Sequence, residues 1–184
     1  MNIILIGYRC TGKTSVGKKI SERLLIPFYD TDELIKKHTG KTVREIVDKG
    51  GWDLFRREEK AVIIALSSLV ETVIAVGGGA VMDVENREAL RRNGLFLWLT
   101  ADVRTIIERM RNDGTGEERM PPLASDCAER ETSGILKQRI PIYQGLADFT
   151  IDTSERDIDT CADEFCNLLI RRILPYDWKS AQII

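Results

Sequence analysis

The stretch Gly7-Tyr8-Arg9-Cys10-Thr11-Gly12-Lys13-Thr14 follows the apolar run Ile3-Ile4-Leu5-Ile6 and opens a segment of helical periodicity. Glycine, four residues, then Gly-Lys-Thr between a strand and a helix is the pattern of a phosphate-binding loop, and few folds can place it. Gly7 and Gly12 permit positive φ and close backbone approach, so consecutive N–H groups can turn inward around phosphate oxygens. Lys13 supplies a point charge for the β- and γ-phosphates and Thr14 a hydroxyl for Mg²⁺, while the following helix turns its positive end toward the same anion. Arg9, Cys10, Thr11 and Ser15 complete the expected phosphate-facing stretch. A glycine-rich turn without a ligand is the bland alternative, and the strand-before, helix-after context argues against it.

Downstream, strand-like and helix-like segments alternate. The first helix is expected over residues 12–25, with Val16, Ile20 and Leu24 on one face, Gly17 allowing close approach to a sheet, and Pro27 ending it. Phe28-Tyr29-Asp30 is a short strand delivering Asp30-Thr31-Asp32 to its carboxyl end, where ligands bind in open α/β sheets. Taken alone, the two carboxylates are equally a solvated turn with Asp32 capping a helix. Residues 33–69 read as helix interrupted at Thr39-Gly40 and Gly50-Gly51, longer than a crossover needs, hence a helical insertion able to clamp a substrate. The apolar strand 72–76 runs into Gly77-Gly78-Gly79-Ala80, which either lets a ligand lie against bare backbone or forms a loose turn.

A helix over 84–92, a strand over 95–99 and a helix over 101–111 follow, the last with Val103, Ile106, Ile107 and Met110 inward. Residues 112–126 mix Gly114, Gly116, Pro121 and Pro122 with charges around Arg119 and lose all periodicity, as a mobile lid would. A helix over 129–140 is expected to stop before Pro141, with a strand at 149–151 and a last helix over 157–173 burying Ile158, Ala162, Phe165 and Leu169. The sum is an α/β domain with about five parallel strands covered on both faces, because its strands are unbroken apolar runs.

Composition removes several functional classes. A formal net charge of -2 leaves no electrostatic footprint for nucleic acid or an anionic membrane, so phosphate chemistry must be local. No apolar run approaches the roughly 20 residues that span a bilayer, and no signal pattern opens the chain, so a soluble cytoplasmic protein is expected. Cys10, Cys127, Cys161 and Cys166 lack the spacing of a zinc site, and Cys161 and Cys166 read as small core residues. Cys10 differs, since positive potential in the loop can lower a thiol pKa. His38 has no partner at ligand spacing and reads as a surface residue.

The order of the motifs narrows the chemistry: the phosphate loop, Asp30-x-Asp32, Phe55-Arg56, Gly77-Gly78-Gly79-Ala80, a lid arginine, then Arg139-x-Pro141-x-Tyr143. In that order, from residue 2 to about 173, the chain resembles the shikimate kinase family. The resemblance implies a three-layer P-loop kinase fold of the nucleoside-monophosphate-kinase type, with a central five-stranded parallel sheet. Residues 1–174 would form one kinase domain, with a helical substrate-binding region at about 32–60 and a mobile lid at about 112–126, followed by a tail over 175–184. It also implies ATP and Mg²⁺ as cofactors, transfer of the γ-phosphoryl group to the shikimate 3-hydroxyl on the route to chorismate and aromatic amino acids, and a monomer.

By position, the resemblance makes Asp32 the residue that binds the acceptor hydroxyls and orients or deprotonates the nucleophile. Arg56, Gly77, Gly78, Gly79 and Arg139 would hold shikimate, with the two arginines on its carboxylate. Arg119 would approach the γ-phosphate from the lid, Arg111 would lie against the adenine, Thr14 would bind the metal directly, and Asp30 would bind it through water. Chemistry agrees, since a polyol acid needs guanidinium forks for its carboxylate and carboxylate or backbone partners for its hydroxyls. The chain departs from the family pattern in having Cys10 where a third glycine is usual, Arg119-Met120-Pro121-Pro122-Leu123 where the lid normally reads Arg-Pro-Leu, and Trp52-Asp53 after Gly51. A gluconate or nucleotide kinase would share the phosphate loop but need another acceptor pocket. A non-catalytic nucleotide switch should lack Asp32, Arg56 and Arg139.

Overall fold

A computed structural model of the chain describes residues 1–112 and 128–173. The expected lid beyond Asn112, including Arg119, lies outside the described residues, as do Cys127 and the tail. Among the described residues, β1 (Asn2–Ile6), β2 (Phe28–Asp30), β3 (Val73–Ala75), β4 (Gly94–Thr100) and β5 (Phe149–Asp152) form one sheet. All four pairings are parallel and the order is β2-β3-β1-β4-β5, as the unbroken apolar runs predict.

Among the described residues, seven α-helices cover the two faces: α1 (Lys13–Leu24), α2 (Thr31–Thr39), α3 (Val43–Ser67), α4 (Val84–Arg91), α5 (Val103–Asn112), α6 (Ala128–Leu146) and α7 (Ile158–Ile173). Strand side chains alternate sides. Ile3, Leu5, Val73, Ala75, Leu95 and Leu97 pack with Val16 and Ile20 of α1 and with Ala162 and Phe165 of α7. Their neighbours Ile4, Ile6, Ile74, Val76 and Phe96 face the other way, onto Ile63 and Leu66 of α3, Leu90 of α4 and Tyr143 of α6. No strand residue in these runs faces water, which is why the sequence shows no polar alternation.

Element boundaries differ from expectation where packing or backbone geometry outweighs local signals. Leu25, at φ 55 with its N–H on Ser21 O, ends α1 two residues before Pro27. At Gly17, a Cβ would lie 2.6 Å from the Phe28 ring, so that turn of α1 can touch β2 only as glycine. Gly50-Gly51 kinks α3 instead of breaking it, since Gly51 alone is non-helical at φ 71, ψ 179. Thr42 starts this helix with a reciprocal cap: its hydroxyl accepts from Glu45 N while Glu45 accepts from Thr42 N at 2.7 Å.

Pro141 sits inside α6 and does not stop it. An interior proline costs about 3 kcal/mol, whereas burying each large apolar side chain contributes about 1.5–3 kcal/mol. Fully buried Tyr143, with Ile142 and Leu146 packed beside it, holds the continuation against the sheet. In α7, Ile158 is 44% exposed and Cys161 takes the inward place. The register follows from Asp157, whose carboxylate caps Thr160 N at 2.7 Å. His38 is exposed, and among the described residues no helix is long and apolar enough to cross a membrane.

Candidate active site

Because β2, β3 and β1 are neighbours, the loops leaving their carboxyl ends emerge side by side. These are the segments Asp30–Asp32, Gly77–Gly79 and Gly7–Thr14, and together they wall a cavity of about 700 Å³. That volume suits a small-molecule site. Cys10, Gly12, Lys13, Thr14, Ser15 and Asp30 form one half, and Asp32, Arg56, Gly77, Gly78, Gly79 and Arg139 the other, with Arg9 also on the wall.

The phosphate half begins at Gly7, whose φ of 140 and whose contact with Leu99 O leave no room for a Cβ. Gly12, at φ 89, is the N-cap of α1 and offers no side chain to the first-turn N–H groups. Lys13 Nζ folds over the loop and donates to Gly7 O at 2.9 Å and Tyr8 O at 2.7 Å. Thr11 is buried, with its hydroxyl donating to Tyr8 O at 2.8 Å, so it contributes backbone and no side chain. Cys10 adopts φ 60, the glycine-like conformation, although it carries a Cβ.

Asp30 has two tasks, one for each oxygen. Oδ1 caps α2 by accepting from Asp32 N at 3.0 Å and Glu33 N at 3.4 Å, so the helix cap is Asp30, and Asp32, the cap of the solvated-turn alternative, lies inside the helix. Oδ2 accepts from Thr14 Oγ1 at 2.7 Å. This places a hydroxyl and a carboxylate oxygen together at the edge of the phosphate loop. Magnesium keeps several waters and takes one or two protein oxygens besides phosphate oxygens, and this pair fits that demand. Among the described residues no cluster of three or more metal-ligating side chains exists, and such an ion needs none.

In the other half, the glycines are bare because charged side chains occupy the space beside them. A Cβ on Gly77 would lie 2.5 Å from Glu59 Oε1 and 3.2 Å from Asp32 Oδ1. One on Gly78 would meet Arg139 Nη1 at 3.6 Å, and one on Gly79 would overlap the Arg56 guanidinium. The loop is pinned from below, where Gly77 N donates to Thr31 Oγ1 at 3.0 Å and the Tyr143 hydroxyl donates to Gly78 O. Burial pushes the Tyr143 phenol up to about 12, so it stays a donor. Burial also raises Tyr8, which lies 5.7 Å beneath the Arg139 guanidinium.

Arg56 is framed by the rings of Trp52 and Phe55, at 5.5 and 5.3 Å. The unusual Trp52 is therefore part of its support. Beneath lies Glu59, fully buried, with Oε2 accepting from Arg56 Nη1. Its other oxygen has no hydrogen-bond partner and faces the glycine loop. Burial raises the Glu59 carboxyl, opposed by the Arg56 guanidinium, while the nearby Asp32 charge adds to the rise.

Sequence reasoning gave no role to Glu59, Tyr143 or Arg109. Glu59 carried a signal, since it occupies an inward position of α3 between buried Phe55 and Ile63 and lies one turn after Arg56. The arginine on the cavity wall before the lid is Arg109, and Arg111 is exposed and off that wall. Two residues turn a helix by about 200°, and Arg109 lies one turn from buried Ile106, so periodicity favoured it.

A family model described as shikimate kinase matches residues 9–170. A shikimate kinase of Syntrophus aciditrophicus is 45% identical, the match covering 89% of this chain and 88% of the relative. One from Thermoanaerobacter pseudethanolicus is 42% identical over 92% and 96%. A solved shikimate kinase from Acinetobacter baumannii in complex with shikimate superposes with a TM-score of 0.86, at 33% identity and covering 93% of each chain.

Proposed function

This chain belongs to the shikimate kinase family, enzymes that phosphorylate shikimate with ATP, and we propose that its two half-sites divide the transfer of the γ-phosphoryl group to the shikimate 3-hydroxyl. The observation that carries the assignment is the pair of guanidiniums over Gly78 and Gly79, opposite the phosphate loop within one cavity. A polyol acid is recognised by such a set: forks for the carboxylate, and backbone and carboxylate groups for the hydroxyls. Arg56 and Arg139 hold the carboxylate. Asp32 and the backbone of Gly77, Gly78 and Gly79 take the ring hydroxyls.

Phosphoryl transfer asks the protein mainly for position and positive charge. The amides from Arg9 to Ser15 hold the phosphates, and Lys13 moves from the loop carbonyls onto the β- and γ-oxygens. Thr14 and Asp30 would hold Mg²⁺, which would supply positive charge against that building on the phosphates. Asp32 accepts the proton of the attacking hydroxyl or fixes its direction. Arg119, placed by motif order, brings a further cation to the γ-phosphate.

Replacing Asp32 by Asn keeps size and removes the base. The expected result is a fall in kcat of about 10²–10⁴-fold, with MgADP affinity unchanged by calorimetry. Turnover near that of the wild type would remove Asp32 from this role.

A further inference from the structure

Two carbonyls of the phosphate loop are fastened from the β5 side of the sheet, by Arg109, which reaches the cavity wall, and by Thr153, which does not. Arg109 donates from Nη1 to Cys10 O at 3.3 Å and to Thr153 Oγ1 at 2.9 Å, and from Nη2 to Thr153 O at 2.5 Å. Thr153 follows β5 and hangs its own amide on Thr100 O at 2.9 Å. Its hydroxyl accepts from Arg109 and lies 3.2 Å from both Thr11 O and Thr100 O, so its single hydrogen is available to Thr11 O. Thr153 is 2% exposed and forms no part of the cavity wall.

The consequence follows from the planar peptide, in which a carbonyl and the next N–H point in opposite directions. Tying down Cys10 O fixes the direction of Thr11 N–H, and tying down Thr11 O fixes that of Gly12 N–H. Cys10 makes the constraint more necessary. Its φ of 60 crowds the Cβ against the backbone, and a residue with a side chain stays there only when its surroundings over-determine it.

We propose that Thr153 is a positioning residue for the kinase reaction: through Thr11 O, and through the Arg109 guanidinium that it holds beside Cys10 O, it aims the loop amides at the phosphates of ATP. The proposal rests on the assignment of residues 7–14 as the phosphate loop of this kinase. It predicts effects on nucleotide phosphate binding that spare the acceptor half.

Thr153→Val removes the hydroxyl at nearly constant volume and cannot delete a direct nucleotide contact, because Thr153 lies off the cavity wall. The expected result is a rise of about tenfold in the KM for ATP and in the Kd for MgADP by calorimetry, equivalent to ~1.4 kcal/mol. The KM for shikimate stays near that of the wild type, and Thr153→Ser restores ATP binding. A merely structural role would lower Tm and the yield of active enzyme without splitting the two KM values. Thr153→Ala in Cys10 and Cys10→Gly backgrounds gives a second test that does not depend on Thr153→Val folding. Glycine takes the left-handed conformation unaided, so the loss in ATP affinity on removing the Thr153 hydroxyl shrinks there. Equal losses in both backgrounds would mean that the hydroxyl does not act through the loop backbone, and would overturn the proposal. An unchanged ATP KM in Thr153→Val would overturn it as well. Wild-type enzyme that binds no MgADP would instead remove the phosphate-loop assignment beneath it.

Discussion

Replacing Gly79 by alanine separates folding from substrate capture. Gly79 has φ −99 and ψ −7, at negative φ in the bridge region that residues with a side chain also occupy. Its new Cβ would overlap the Arg56 guanidinium, lying 2.9 Å from Cζ and 3.0 Å from Nη1. Arg56 ends in a long flexible side chain that is 37% exposed, so the guanidinium swings away and the backbone stays. Alanine at a compatible glycine position contributes about 0.4–1 kcal/mol through the unfolded chain, which offsets part of the weakened contact with Glu59. Thermal unfolding should therefore remain within about 4 °C of the wild type. The displaced guanidinium no longer meets the acceptor carboxylate, and a hydrogen bond between charged groups contributes about 1.5–3 kcal/mol. Steady-state kinetics should show the shikimate KM raised about 10- to 150-fold, with the ATP KM unchanged. A shikimate KM equal to that of the wild type in a folded variant would refute the placement of Arg56 on the carboxylate. A collapse in Tm would refute the argument that the side chain yields and the backbone does not.

Three further outcomes follow from the same geometry. Gly77→Ala directs its Cβ at Asp32 Oδ1 and, more closely, at Oε1 of fully buried Glu59, which has no room to yield, so Tm should fall here, and a Tm equal to that of Gly79→Ala would contradict the packing. Asp30→Asn retains an oxygen to cap α2 but loses the anionic partner of Thr14, so stability should hold while the Mg²⁺ concentration for half-maximal rate rises about tenfold; an unchanged Mg²⁺ titration would exclude Asp30 from the metal site. Glu59 has its folded-state carboxyl raised by burial, so the native state binds its proton more tightly than the unfolded chain does. Its contribution is full below the unfolded value of about 4.3 and is lost as pH climbs through the folded value. Urea unfolding should accordingly show wild type losing stability relative to Glu59→Gln as pH rises from about 4, and a difference that is flat or of opposite slope would show that burial does not dominate at Glu59.

Much of this enzyme is legible in its sequence because its strands are buried on both faces and its loops carry unusual residues. Ile3-Ile4-Leu5-Ile6 and the glycine-lysine-threonine turn locate β1, α1 and the phosphate half with no tertiary information. Pro141 misleads because the force keeping α6 helical past it is long-range burial of Tyr143, which no local window contains. The direction of Arg111 relative to Arg109 is a matter of helical phase and could have been read from Ile106. The pairing of Arg56 with Glu59 was visible only as a carboxylate out of place on an apolar stripe. The fastening of Thr11 by Thr153 joins residues 142 positions apart, and nothing in the local sequence marks it.

The central claim is that the cavity joins ATP to shikimate and to no other acceptor class. A coupled ADP-release assay across shikimate, quinate, gluconate and nucleoside monophosphates tests it directly. Release should accelerate strongly with shikimate and remain near the acceptor-free rate with gluconate and the nucleotides. Release no faster with shikimate than with no acceptor would contradict the account.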